Sequence, residues 1–230
     1  MMIVVFVGPS LPNAHEFVDA NVEVRPPACQ GDVMQAIADG ALKIGLIDGQ
    51  FEMAAPVWHK ELLFALSKNI SVFGAASMGA LRAVECAAYG MIGIGKIFED
   101  YVSGIRVDDA DVALTYGPAE LGYPPLSIPL VNAQATIAKI SNLGLLNQPC
   151  CEKLAYAAQT LFFKRRTWKT IAQLAGVDVE TLKPVLDLCW VDRKKLDAIA
   201  LLQAMEQNLQ PVKAEDWQFN ATTLFRKMYL

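Results

Sequence analysis

The sequence predicts an α/β fold: an open parallel sheet of the Rossmann or flavodoxin-like kind, followed by an α-helical C-terminal region. Two observations predict it. Through the first hundred residues, short apolar runs bounded by Gly, Pro and Asp alternate with helical patterns, the rhythm of parallel strands joined by crossover helices. From about residue 131 to 207 only helical periods recur, so the chain divides into an α/β core over 1–145 and a helical region over 146–230 suited to partner contact.

Taken in order, Ile3–Val7 is an apolar run ending at Gly8-Pro9-Ser10, a strand followed by a rigid loop. Val22–Val24 is a short strand before Arg25-Pro26-Pro27, and Asp32–Asp39 has the helical spacing Val33, Ala36, Ile37 with Gly40 as its stop. Ile44–Ile47 reads as a buried strand ending at Asp48-Gly49. Pro56 opens a helix through Lys68, and Ser71–Phe73 is the next strand. It enters a helix through Gly74-Ala75-Ala76-Ser77-Met78-Gly79. Met91–Gly95 reads as a glycine-spaced turn, Lys96–Ser103 as a helix and Val112–Tyr116 as a strand. Tyr123-Pro124-Pro125-Leu126-Ser127-Ile128-Pro129 is an extended loop. Breaks are expected near Pro149, Gly176 and Pro184, and Thr170–Leu182 has the look of a helix-turn-helix with Lys164-Arg165-Arg166 before it.

Composition narrows the function classes. Hydrophobic residues make up 53% of 230 and charged residues 19%, so a sizeable core forms and global disorder is excluded. A net charge of −4 argues against a general nucleic-acid binder, the helix-turn-helix pattern notwithstanding. No apolar run reaches membrane-spanning length, and the N-terminus has no basic segment, so it reads as a strand rather than a signal peptide. Five scattered Cys without C-x-x-C read as reduced thiols in a cytoplasmic protein. With two His, neither spaced with a Cys, no metal or other cofactor is indicated. The Asp108-Asp109-Ala110-Asp111 cluster reads as solvated turn carboxylates in preference to a Mg²⁺ site.

Parallel sheets of this kind bind ligands beyond the C-terminal ends of their strands. That rule collects Ser10, Asp48 and Ser77 on one rim. Ala75-x-Ser77-x-Gly79 is one methyl from the G-x-S-x-G nucleophile elbow, and a helix start there offers the Met78 and Gly79 N–H groups to an oxyanion. Close packing at a strand–helix turn explains the same small residues without any chemistry. Arg82 and Glu85, one turn apart, either pair locally or face one cleft. No Walker lysine and no G-x-G-x-x-G support a nucleotide site.

Several stretches in order resemble the TfuA-like family: Gly8-Pro9-Ser10-Leu11, Ile47-Asp48-Gly49, Val57-Trp58-His59-Lys60-Glu61, Gly74 through Ala83, Ile97-Phe98-Glu99-Asp100-Tyr101, Asp108-Asp109, and Tyr123 through Pro129 with Val131-Asn132. Val84 and Cys86 depart from the family's usual Ala and Leu. The resemblance implies an accessory protein to a YcaO-type cyclodehydratase in peptide backbone thioamidation, releasing or delivering sulfide from a thiocarboxylated, ThiS-like carrier. Releasing sulfide from such an acyl group needs a nucleophile, a base and an oxyanion site, for which Ser77 is the candidate nucleophile and His59 the candidate base or proton shuttle, with Asp48 or Glu61 orienting it. Ser10, Met78, Gly79, Arg82, Tyr123 and Asn132 are then substrate-binding candidates. The alternative is a non-catalytic activating or docking subunit.

Overall fold

The computed structural model describes residues 2–50, 52, 54–207, 209 and 217–230. Five parallel strands form one sheet: β1 (Met2–Phe6), β2 (Val22–Arg25), β3 (Ala41–Leu46), β4 (Ser71–Ala75) and β5 (Ile92–Ile94), in the order β2-β1-β3-β4-β5. Register is continuous across the centre, with Val4 beside Ile44, Ile44 beside Val72 and Phe73 beside Ile92. Chain order reverses at β1, whose neighbours are β2 on one side and β3 on the other, so the crevice of the sheet lies between the ends of β1 and β3.

Alternation along the strands sorts the core into two layers. Val4, Phe6, Ile44, Leu46 and Val72 face one way, against α1 (Asp32–Ala38), α2 (His59–Ser67) and α3 (Met78–Cys86). Ile3, Val5, Phe73 and Ala75 face the other way, against Leu11 and Ala14 of the β1–β2 connection and Ala198, Leu201, Leu202 and Met205 of α9 (Arg193–Glu206). α4 (Lys96–Val102) follows β5, and α10 (Thr223–Tyr229) buries Phe225 against Trp58 and Phe64 of the α2 region.

By contacts the chain forms two compact units, residues 1–105 with 196–230, and residues 106–195. This grouping differs from a division at residue 145, because the second half of α9 supplies the sheet's second layer and belongs with the α/β unit. The other unit is helical: α5 (Leu130–Asn142), α6 (Gln148–Thr160), α7 (Trp168–Ala175) and α8 (Val179–Cys189) enclose Ala133, Ile137, Ile140, Leu154, Ile171 and Leu182.

Four local expectations are corrected. Residues 91–95 are not a turn: Ile92–Ile94 is β5, and the Phe98 ring lies over Gly93, so close that a Cβ there would displace it. Val112–Tyr116 is not a strand. A 3-10 turn covers Asp109–Asp111, and pairing is limited to a bridge between Tyr116 and Pro125, since Pro124 and Pro125 have no N–H to donate. Pro56 does not open a helix; it bridges Cys29, and α2 starts at His59, where Glu61 accepts from the Trp58 N–H. Pro184 does not break α8, which runs through it. Pro149 sits in the first turn of α6 and Gly176 ends α7 in the left-handed conformation.

Candidate functional site

Asp48 and Ser77 each lie two residues beyond the ends of neighbouring parallel strands, β3 and β4, as the sheet rule requires. Their side chains have different fates. Asp48 is buried; its carboxylate accepts from the Gly8 N–H and the Ser10 N–H, each at 2.9 Å, and from the Ser10 hydroxyl at 2.6 Å. Ser10 is buried with it. The pair bridges the crevice between β1 and β3. A nest of N–H groups that would suit a phosphate is therefore filled by the chain's own anion.

The same happens at the other helix starts along this edge. Glu61, buried, accepts from the Gly31 N–H at 2.9 Å, where Gly31 caps α1 with φ 99°. Burial pushes its carboxyl up, against the pull of the Gly31, Trp58 and Met34 N–H groups. Asp197, buried, accepts from the Ile97 N–H at 2.7 Å at the start of α4. Each carboxylate meets a positive helix end or loop nest, a favourable arrangement.

The start of α3 differs. Ala76 takes φ 65°, and the Ser77 N–H donates to the Ala75 carbonyl at 2.7 Å, a tight γ-turn with Ala76 at its apex. In the nucleophile elbow the apex residue carries the nucleophile; here the serine follows the apex. Ser77 is the N-cap of α3 and is half-buried, and its hydroxyl has no hydrogen-bond partner among the described residues. The Met78 N–H also has none among them. The Gly79 N–H does: it donates to the Ile47 carbonyl at 3.2 Å. A Cβ on Gly79 would lie 1.7 Å from the Leu46 carbonyl oxygen, and one on Gly74 would lie 2.1 Å from the Gly79 oxygen. Both glycines thus serve the close approach of α3 to β3 and β4.

His59 is not oriented by Asp48 or Glu61. Its Nε2 meets Glu85 Oε2 at 2.8 Å, and the same oxygen accepts from Arg82 at 2.7 Å. Arg82 also donates through Nε to the Val57 carbonyl at 3.1 Å. Burial pushes the Glu85 carboxyl up, but the hydrogen bonds from His59 and Arg82 outweigh it and hold the carboxyl below its ordinary value. Glu85 is the residue sequence reasoning did not place beside the histidine; its signal was the three-residue spacing from Arg82. No hydrogen bond joins Ser77 to His59.

Tyr123 and Asn132 belong to the helical unit. Tyr123, at φ 53°, meets Tyr116 edge-on at 5.9 Å. Asn132 is buried, donating to Asp192 at 2.9 Å and accepting from the Lys194 N–H at 3.1 Å, so its amide holds two segments together. In the acidic cluster, Asp108 caps its turn and Asp111 pairs with Arg106 at 3.0 Å. Of the basic run, Arg166 is buried and donates to the carbonyls of Ala158, Ile128 and Leu161. Buried Cys86 is pushed up to about 12 by desolvation, with Glu85 adding to it, so it carries no thiolate at neutral pH.

Among the described residues no helix is long and apolar enough to cross a membrane. No curated protein matches the chain. A family model described as TfuA-like protein matches residues 48–167, just over half of the chain.

Proposed function

Because the chain belongs to the TfuA-like protein family, we propose that it is an accessory protein of YcaO-dependent peptide backbone thioamidation, releasing sulfide from a thiocarboxylated carrier. One observation carries the proposal. Along the ligand edge of the sheet, Asp48, Glu61 and Asp197 occupy N–H groups elsewhere, whereas the Ser77 hydroxyl and Met78 N–H at the start of α3 are uncommitted. A single acyl terminus suits that opening better than a pyrophosphate, which needs several donors at once.

In this reading the Ser77 Oγ attacks the thiocarboxyl carbon, the Met78 N–H meets the oxyanion, and the C–S bond breaks as HS⁻ leaves with the serine proton. Water then hydrolyses the acyl-serine, returning the hydroxyl and leaving a carboxylate on the carrier. His59, backed by Glu85 and Arg82, is the proton carrier. It reaches Ser77 through water or once the carrier terminus is seated. Sulfide release from a thiocarboxylated carrier by the purified chain tests this: Ser77→Ala should lower turnover by about 100-fold or more. Turnover unchanged in Ser77→Ala removes the serine role.

A second reading, a non-catalytic activating subunit of a YcaO enzyme, is favoured by the commitment of Asp48, Glu61 and the Gly79 N–H to the fold. It expects the chain to stimulate the YcaO enzyme equally with free sulfide and with the thiocarboxylated carrier, and Ser77→Ala to leave both unchanged.

A further inference from the structure

We propose that the C-terminal segment is the positioning strap of the site: Phe225, with Phe219 and Asn220, holds the first turn of α2 so that His59 stays on Glu85. The inference rests on His59 as the proton carrier of the proposed function. His59 is the first residue of α2, and helix ends fray unless something holds them. The usual hold is missing here. Trp58 stands at the N-cap, where its indole has no oxygen to accept from the free N–H groups of the turn. Glu61 reaches back to the Trp58 N–H at a long 3.4 Å and is itself drawn to the Gly31 N–H at 2.9 Å. Arg82 ties only the Val57 carbonyl, two residues before the histidine.

The end of the chain supplies the hold. The Trp58 ring meets Phe225 at 6.0 Å. Lys60 donates through Nζ to the Asn220 carbonyl at 2.7 Å, 160 residues away in sequence, and lies over the Phe219 ring at 5.5 Å. The neighbours on both sides of His59 are thus gripped by one segment. Phe225 is its hub: fully buried, it also meets Phe64 at 5.4 Å, Phe219 at 5.0 Å and Tyr229 at 5.2 Å. Further up the strap, Trp217 packs edge-on against Tyr89 at 5.3 Å, in the 3-10 turn that follows α3 directly. His59 lies on α2 and Glu85 on α3, so a strap fastened beside both helices fixes the gap across which the two side chains meet at 2.8 Å. Ring pairs have preferred geometries, which suits a part that sets a position as well as filling space.

Nitrogen NMR of the full chain tests this, because the chain has two histidines and His15→Gln identifies the His59 ring. Ring-nitrogen shifts follow protons and hydrogen bonds and are little moved by nearby aromatic rings. Glu85→Ala marks the shifts of a His59 without its carboxylate. Phe225→Leu, folded by circular dichroism, should carry the His59 nitrogens toward those positions. It should also lower kcat on the thiocarboxylated carrier by about tenfold or more with KM kept, the pattern of a misplaced group that does not bind substrate. Trp58→Leu breaks the same contact from a half-buried position, and decides the matter if Phe225→Leu does not fold. The proposal is overturned if the nitrogens keep their wild-type shifts while the melting temperature falls, since Phe225 would then only fill the core. Unchanged kcat in a variant whose nitrogens have moved, with Ser77→Ala inactive, also overturns it. If Ser77→Ala leaves turnover unchanged, the serine reading fails by itself, and the nitrogen shifts still decide the strap.

Discussion

Asp48, Glu61 and Asp197 are alike in chemistry and alike in use: each carries a buried negative charge to backbone N–H groups that would otherwise attract a ligand's anion. Removing one exposes its donors in a dry setting. Asp48→Ala leaves the Gly8 and Ser10 N–H groups and the Ser10 hydroxyl without their acceptor, and should lower stability by about 3 kcal/mol or more, at 1–3 kcal/mol per buried unsatisfied group. Thermal unfolding would measure it; a change under 1 kcal/mol would mean that water fills the crevice. Glu85 contributes differently, because it is half-exposed and screened. A carboxyl held below its ordinary value stabilises the fold at neutral pH and loses that contribution as pH falls through the lowered value. Wild type should therefore melt about 2 °C above Glu85→Gln at pH 7, with the gap closing toward pH 3. A gap that persists at pH 3 would assign the difference to packing rather than to charge.

At the scale of elements, α3 is set by two glycines that interlock it with the sheet. Gly79→Ala places a methyl 1.7 Å from the Leu46 oxygen, a backbone atom that cannot move without β3. The expected cost exceeds about 3 kcal/mol, against little for Ser77→Ala at the half-buried N-cap. If Gly79→Ala proves as stable as wild type, the close approach is not required. This pair of variants also separates what could be read from the chain. β1, β3 and β4 were legible because apolar runs ending in Gly or Asp have few other meanings, and the rim position of Asp48 and Ser77 followed from the sheet rule. β5 was not legible: glycine spacing suggests a turn, and only the Phe98 ring across Gly93 shows why glycine sits in a strand. The partners of Asp48, Glu61 and His59 were not legible either. Each is joined across 25 or more residues, to Ser10, Gly31 and Glu85, and spacing along a chain says nothing of such pairs.

For the molecule as a whole, the return of the chain through α9 decides what can be removed. The family match and the strand–helix repeat both end well before it, so by sequence alone a cut just ahead of α9 spares the α/β unit. In the folded chain it does not. Ala198, Leu201, Leu202 and Met205 cover Ile3, Val5, Phe73 and Ala75 on the sheet's second face, and Met205 and Leu201 fill the space that Gly45 leaves open. Two Leu and one Met at roughly 1.5–3 kcal/mol each come to about 5–9 kcal/mol. Loss of Phe225, fully buried against Trp58 and Phe64, adds about 3 kcal/mol more. A domain's whole margin is about 5–15 kcal/mol. A chain ended after Asp192 should therefore lack a cooperative melting transition and bind a hydrophobic dye, although it keeps Ser77, His59, Asp48 and every stretch shared with the family. If circular dichroism instead shows the shortened chain melting cooperatively near the full-length temperature, α9 is an accessory layer rather than part of the core.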